Sequence, residues 1–201
     1  MNLNHPLPIS DYIFCITEDE KGVLWVGNAG GLNFYNREKD RFERVALQEF
    51  TGAKVIKVAK EDHLWIGGLR GLYLYNTKKK EIVKSVTAKY ITKLLIDKND
   101  NIWIGTETNG ILVINKKGIT KMVFKASDKT CGLTNNNIEV IHQDKNGIIR
   151  VGTEGGGLHE FDFTTKKFHS VPLPAKVVWD ILEVNDRLWL GTPEHGVIVL
   201  G

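Results

Sequence analysis

Apolar and polar residues alternate along most of this chain in short runs, which are separated by turns rich in Asp, Asn, Lys and Gly. Alternation with a period of two predicts strands with one buried face. The first runs predict four strands, at residues 13–17, 23–27, 31–35 and 41–45. No apolar pattern with helical spacing continues beyond a few residues, so the sequence predicts an all-β protein.

One phrase recurs five times: an aliphatic residue, Trp, an aliphatic residue and Gly, with one Trp replaced. It stands at 24–27, 64–67, 102–105, 149–152 and 188–191, so its second residue recurs at intervals of 40, 38, 47 and 39. The first predicted strand recurs at 55–58, 91–96, 138–142 and 178–182, and the third at 72–75, 111–114, 158–161 and 197–200. Four strands per repeat of this length are typical of β-propeller blades.

We therefore predict one β-propeller domain over residues 1–201, with about five four-stranded blades. The repeats are placed at 10–47, 52–87, 88–125, 134–172 and 175–201. In each phrase the Trp and the Gly two residues later share a strand face, and we expect the bare Gly to let the next blade approach closely. Arg150 replaces Trp in the fourth copy, and its guanidinium needs water or a carboxylate.

The fifth repeat ends after its third predicted strand. Residues 3–5 are the candidate for a closing fourth strand, because Pro6 and Pro8 cannot donate ladder hydrogen bonds. We expect either a strained or incompletely closed five-blade ring or an open fragment of a larger propeller. An open arrangement exposes strand edges and blade faces, which predicts self-association through an unpaired blade edge.

Composition narrows the functional classes. A net charge of +3 gives no reason to predict a nucleic-acid partner. No apolar run approaches the ~18 residues of a membrane helix, and residues 1–6 do not resemble a signal peptide. Cys15 and Cys131 lie in non-equivalent parts of their repeats and are expected to be buried or half-buried free thiols.

Several segments resemble the two-component regulator propeller repeat. They are 131–138, 143–148 and 151–158, which read CGLTNNNI, QDKNGI and VGTEGGGL, together with 97–106 and 18–32. The resemblance implies the extracytoplasmic sensor of a hybrid histidine kinase of Bacteroides type, which senses glycan fragments. It also implies a periplasmic location if the chain is part of an exported sensor. A free-standing chain without a signal peptide would be cytoplasmic.

Candidate ligand-binding residues lie on one rim, in the loops between second and third strands and in the segments just before first strands. Aromatic rings mixed with amides and carboxylates suit an oligosaccharide ligand. The alternative is that these residues are ordinary loop tips or contacts between blades. The candidates are Tyr12, Asn28, Arg70, Tyr90, Glu107, Asn137, Glu154, Trp179, Glu194 and His195.

No catalytic set, metal site or cofactor is predicted. Glu107, Glu154 and Glu194 occupy similar loop positions, which favours a structural cause over a carboxylate pair. The turns at 97–101 and 144–147 lack the distal Glu of a calcium loop. We predict a non-enzymatic sensor propeller for a ligand such as a carbohydrate. The alternatives are a structural or protein-interaction propeller, and a propeller hydrolase or lyase.

Overall fold

The computed structural model of the chain describes residues 12–201, with Gln48 described in its backbone only. Over these residues it contains nineteen strands, no α-helix and one 3-10 helix at Gln48–Phe50. That single turn leaves the all-β prediction intact, and three residues are too few to produce a periodic pattern in the sequence. The strands form five antiparallel sheets of consecutive strands, numbered here as blades 1 to 5.

The chain divides into two compact units, 1–91 and 92–201. The first unit contains blades 1 and 2. Blade 1 consists of β1 (Ile13–Glu18), β2 (Leu24–Asn28), β3 (Gly31–Asn36) and β4 (Arg41–Arg44). Blade 2 consists of β5 (Ala53–Ala59), β6 (His63–Gly68), β7 (Leu72–Asn76) and β8 (Glu81–Val86).

The second unit contains blades 3 to 5, and β9 begins at the boundary. Blade 3 consists of β9 (Ile91–Ile96), β10 (Ile102–Thr106), β11 (Ile111–Ile114) and β12 (Thr120–Phe124). Blade 4 consists of β13 (Ile138–Gln143), β14 (Ile149–Thr153), β15 (Gly157–Asp162) and β16 (Lys167–Val171). Blade 5 consists of β17 (Asp180–Val184), β18 (Arg187–Thr192) and β19 (Gly196–Leu200). The strand bounds agree with the predicted ones within about two residues.

Blade 5 has three strands in the described part of the chain, as the sequence predicts. The segment proposed as its fourth strand, residues 3–5, lies outside the described residues. The first turns of blades 2 and 5 are the shortest, with three residues (60–62) and two residues (185–186) between the paired strand ends, and both contain residues in left-handed conformations. Glu61 and Asp62 have φ of 62° and 63°, and Asn185 and Asp186 have φ of 50° and 64°.

The cores lie between successive blades within each unit. Trp25 of blade 1 is buried with Ile56, Leu64 and Tyr75 of blade 2. Trp103 of blade 3 is fully buried in an aromatic cluster that includes Phe161 of blade 4. The expected role of the phrase is thus confirmed for these two copies.

The substituted copy also behaves as expected. The guanidinium of Arg150 binds Asp144 at 2.6 Å and Glu160 at 2.9 Å. Burial opposes ionisation of Asp144, but hydrogen bonds from Arg150 and from nearby backbone N–H groups outweigh it and lower the pKa of Asp144. The two cysteines are free thiols, Cys131 buried and Cys15 half-buried. Burial raises the pKa of Cys15 to about 11, so its thiolate is scarce at neutral pH.

Candidate functional site

In the second unit, backbone hydrogen bonds connect each loop between second and third strands to the segment that precedes the next first strand. Gly110 donates to the carbonyl of Asn136 at 3.1 Å, in the loop after β10. After β14, Gly155 and Gly157 donate to the carbonyl of Lys176 at 3.0 and 2.6 Å. These bonds fix the loops that carry the candidate residues, so the surface they form is built from rigid backbone.

A threonine shapes each of these loops from inside. Thr106, Thr153 and Thr192 each stand directly after the Gly of the phrase, and each Oγ1 donates to a carbonyl four residues later, at 2.9, 3.2 and 3.1 Å. The same oxygens accept backbone N–H groups three residues later, from Asn109, Gly156 and His195. The repeated Gly-Thr pair therefore has a structural role, which the sequence indicated for the loop pattern without identifying this threonine.

Three of the candidate residues lie around one loop of blade 4. Glu154 donates its backbone N–H to the carbonyl of Asn137 at 3.0 Å, and it forms an isolated β-bridge with Val177. Trp179, two residues after Val177, donates its N–H to Gly191 at 2.9 Å, and its side chain is 52% exposed. The Oδ1 atom of Asn137 is buried and has no hydrogen-bond donor among the described residues. We call Asn137, Glu154 and Trp179 the rim cluster.

The remaining candidates of the second unit lie on neighbouring loops. Glu194 and His195 are exposed in the turn between β18 and β19. Glu107 is exposed in the turn between β10 and β11, where Gly110 contacts Asn136 and not Asn137. The three glutamates 107, 154 and 194 thus occupy the corresponding loop in three successive blades, as the repeat pattern predicts.

The first unit holds four candidates in two pairs. Tyr12 is exposed, and its carbonyl accepts the N–H of Ala29, which places it next to Asn28. The side chain of Asn28 is fully buried, and its Oδ1 accepts the N–H of Gly31 at 2.8 Å. Asn28 therefore closes its own loop and presents no amide to solvent.

The second pair of this unit is Arg70 and Tyr90, both exposed. Tyr90 donates its backbone N–H to the carbonyl of Leu69 at 3.3 Å, beside Arg70, and it has a left-handed φ of 56°.

The sequence analysis did not predict that an Asp in the first turn accepts a hydrogen bond from the second residue of the phrase. Asp19 accepts the indole N–H of Trp25 at 2.8 Å, and Asp97 accepts that of Trp103 at 2.9 Å. In blade 4 the corresponding acceptor is Asp144, and its donor is Arg150. The detectable signal is an Asp six residues before the second residue of the phrase in three of the five copies.

Two surfaces that are buried inside the units are exposed in blades 1 and 5. Trp189 of blade 5 is 43% exposed, whereas Trp25 and Trp103 are 5% and 0% exposed at the same repeat position. Ile16 of blade 1 is 67% exposed, whereas Ile56 of blade 2 is 4% exposed at its corresponding position. Ile16 pairs with Val26 as Ile56 pairs with Ile66, so both isoleucines lie on the blade face opposite the Trp.

Residues 12–201 contain no group of three or more His, Cys, Asp or Glu side chains that could hold a metal ion. No helix in this part of the chain is both long and apolar enough to cross a membrane.

Comparison with known proteins connects this fold to a family. Residues 7–30 and 85–108 match the family model described as the two-component regulator propeller. These segments are two-component regulator propeller repeats. The match falls on the first and third repeats, and it confirms the resemblance that the sequence motifs indicated. The segment 85–108 includes the Trp103 phrase and the loop that carries Glu107.

Solved structures with the same fold include extracellular domains of proteins described as hybrid two-component systems. The extracellular domain of a protein named as a hybrid two-component system of B. thetaiotaomicron superimposes with a TM-score of 0.82 and 21% identity, over 94% of this chain and 26% of its own. A second B. thetaiotaomicron domain of that description gives 0.56 and 18%, over 95% and 34%. The chain thus spans about a quarter to a third of their length.

At these identities the likeness shows the fold alone, and the all-β propeller prediction is confirmed. Hydrazine synthase of Kuenenia stuttgartiensis, with a TM-score of 0.71 and 12% identity over 97% of this chain and 60% of its own, shares the fold as well. The fold therefore occurs in enzymes as well as in sensors. No curated protein sequence matches the chain.

Proposed function

We propose that this chain is a non-enzymatic recognition propeller of a two-component-type sensor, and that it binds a carbohydrate at the rim cluster. The observation that carries the proposal is the half-exposed Trp179, which follows by two residues the Val177 that bridges Glu154, on backbone that hydrogen bonds hold in place. An indole offers an apolar face for a sugar ring, and carboxylate and amide groups beside it can bind hydroxyls.

Two features favour binding over catalysis. Both backbone groups of Glu154 are engaged, since its N–H binds Asn137 and its carbonyl accepts the Asn135 amide at 2.6 Å. The loop belongs to a repeated scaffold, whereas a glycosidase needs two carboxylates at a set separation of ~5–9.5 Å. The sensor proposal also carries a location, because the similar B. thetaiotaomicron domains are described as extracellular. A periplasmic site of action follows if this chain has the same role.

The test is to titrate the protein with short neutral and acidic oligosaccharides and to measure binding by calorimetry and NMR. We expect at least one class to bind, and Trp179→Ala to weaken it about tenfold or more, equivalent to about 1.4 kcal/mol. Trp189→Ala is the matched control, because it removes a second exposed indole of blade 5 from a different strand and should leave the affinity within about twofold.

Three outcomes would count against the proposal. They are an absence of binding across all oligosaccharide classes, an equal loss in both tryptophan variants, and turnover of the bound sugar that Glu154→Gln abolishes. The last would move the function to a hydrolase or lyase.

A second candidate function, association between copies, is favoured by the exposed blade faces. The Trp189 face carries Leu182 and Val199 in the same cross-strand row, and all three side chains are at least 41% exposed. Within each unit such a face packs against the opposite face of the next blade. Blade 1 exposes a face of that opposite kind through Ile16 and Phe14. We propose that the Trp189 face of one copy binds the Ile16 face of another, with β19, the last strand of its sheet among the described residues, beside it.

Sedimentation over a concentration series should therefore show oligomers that both Trp189→Lys and Ile16→Lys dissociate, each by at least about tenfold in Kd. Lys116→Gln, in an exposed turn, is the control and should leave association unchanged. A protein that stays monomeric at the highest concentration reached, or oligomers that survive both lysine variants, would rule the interface out.

A further inference from the structure

Blades 1 and 2 of the first unit meet through the same strand positions as blades 3 and 4 of the second. The indole of Trp25 lies 6.2 Å from the ring of Tyr75, and that of Trp103 lies 5.0 Å from the ring of Phe161. Tyr75 and Phe161 occupy equivalent positions in the third strands of their blades. In each blade, the residue just before this ring pairs with the second residue of that blade's phrase. The two interfaces can therefore be compared position by position.

Large side chains fill the interface of the second unit. Phe124 lies parallel to the indole of Trp103 at 6.4 Å, and Phe163 meets it edge-on at 6.5 Å. Met122 packs against the same cluster. With these groups in place Trp103 is fully buried, and its ring has aromatic or sulfur-containing neighbours on several sides.

The first unit has smaller or charged side chains at the corresponding positions. From the pairing of third and fourth strands, Val45 corresponds to Phe124 and Glu43 corresponds to Met122. Thr77 corresponds to Phe163, because each lies two residues after the aromatic residue at the interface. Two benzyl groups and a thioether are thus absent from this interface.

A cleft of about 550 Å³ occupies the space that these groups would fill. Trp25, Phe34 and Tyr75 form its apolar floor, and Val45, Glu43 and Thr77 all line it. The rings of Trp25 and Phe34 lie 5.6 Å apart. A volume of this size is within the range of small-molecule sites in proteins. The cleft extends from the turns of β1–β2 and β7–β8 along blade 1 to residues 44–47 at the end of β4.

The charges around the cleft leave an excess of positive groups. Asp19 is occupied by the N–H groups of Trp25, Lys21 and Val23. Glu43 is paired with Lys39 and Arg41.

Of the cationic groups that remain, the guanidinium of Arg44 donates to the carbonyl of Gly30, and the other two belong to one turn. Lys78 and Lys80, in the turn between β7 and β8, line the cleft and form no ion pair with any described residue. An apolar floor beside two unpaired ammonium groups matches an anion with an apolar body.

We propose that this cleft binds a small amphipathic anion, whose ring or alkyl body lies on Trp25, Phe34 and Tyr75 and whose acidic group faces Lys78 and Lys80. The site is separate from the rim cluster and does not depend on carbohydrate binding there. Sulfate, sulfonate, carboxylate and phosphate share the required chemistry. A second ligand at a blade interface of the sensor would let a small metabolite bind independently of the rim ligand.

The experiment uses naphthalenesulfonate and its neutral analogue naphthylmethanol as probes, with the indole N–H of Trp25 followed by two-dimensional NMR. We expect the sulfonate to bind about tenfold more tightly than the alcohol, and the double change Lys78→Gln with Lys80→Gln to remove that difference. Thr77→Phe restores the ring found at the corresponding position of blade 4, so it should weaken both probes about tenfold or more.

Lys166→Gln is the matched control, since Lys166 takes the place of Lys80 in the corresponding turn of blade 4, and it should leave both affinities unchanged. If Thr77→Phe does not fold by circular dichroism, Val45→Met fills the cleft from its other wall with the same expected loss. The proposal is overturned if the sulfonate has no advantage over the alcohol, if cleft-filling variants bind as the parent does, or if Trp179→Ala abolishes binding.

Discussion

Replacing Gly152 with alanine is expected to lower the free energy of unfolding of the 92–201 unit by about 2–3 kcal/mol. A Cβ atom at this position would lie 2.5 Å from the carbonyl oxygen of Val178 and 2.6 Å from Cγ1 of Val140. The first of these is backbone of the neighbouring blade, which cannot rotate away as a side chain can. Gly152 does not have a positive φ, so the cost reflects space and not backbone strain. Urea denaturation followed by circular dichroism measures it.

Gly191→Ala is the internal control, because Gly191 holds the same place in the phrase of blade 5. The nearest atom that its Cβ would meet is Cβ of Asp180, at 3.8 Å. We expect a change within about 0.5 kcal/mol, and a small gain is reasonable because alanine restricts the unfolded chain. Equal losses in the free energy of unfolding at both positions would mean that the Gly is required by the conformation of its own strand, and not by the close approach of the next blade.

Much of the architecture could be predicted because the same phrase, with the same packing requirement, recurs five times in the sequence. The repeat pattern predicts the Trp and Gly of each phrase at the blade interface, and the contacts at Trp25, Trp103 and Gly152 confirm that prediction. For Arg150 the sequence predicted either water or a carboxylate as the partner of its guanidinium, and the structure has carboxylates there. The sequence did not say which carboxylates would serve, since Asp144 and Glu160 reach it only through turn geometry and strand pairing.

The rim residues were harder to predict, because the sequence specifies a loop but not which way each side chain points. Asn28 has a side chain of the type expected at a ligand contact, yet its amide oxygen accepts a backbone hydrogen bond within its own turn. Trp179 and Trp189 are both exposed, but Trp179 lies in the segment that bridges the Glu154 loop through Val177, whereas Trp189 lies on a blade face. The cleft in the first unit was missed for another reason. It appears only when Val45 and Thr77 are compared with Phe124 and Phe163, and that comparison needs the strand register.

Replacing Asp97 with alanine is expected to destabilise the 92–201 unit by about 3 kcal/mol, because a buried donor is left without an acceptor. The carboxylate of Asp97 is nearly inaccessible to solvent, and it accepts the indole N–H of Trp103 together with the backbone N–H groups of Asn99 and Asn101. Urea denaturation gives the size of the loss, and the Trp103 indole N–H resonance shows whether that bond is the one broken.

Asn99→Ala changes the same turn without touching the indole, because only the backbone of Asn99 binds Asp97. It should cost no more than about 0.5 kcal/mol, as surface substitutions usually do. Asp97→Asn keeps one acceptor oxygen and should lie between the two. If Asp97→Ala proved as mild as Asn99→Ala, the turn carboxylate would be a hairpin feature alone. The Asp beneath the phrase in blades 1, 3 and 4 would then need an explanation other than the support of Trp25, Trp103 and Arg150.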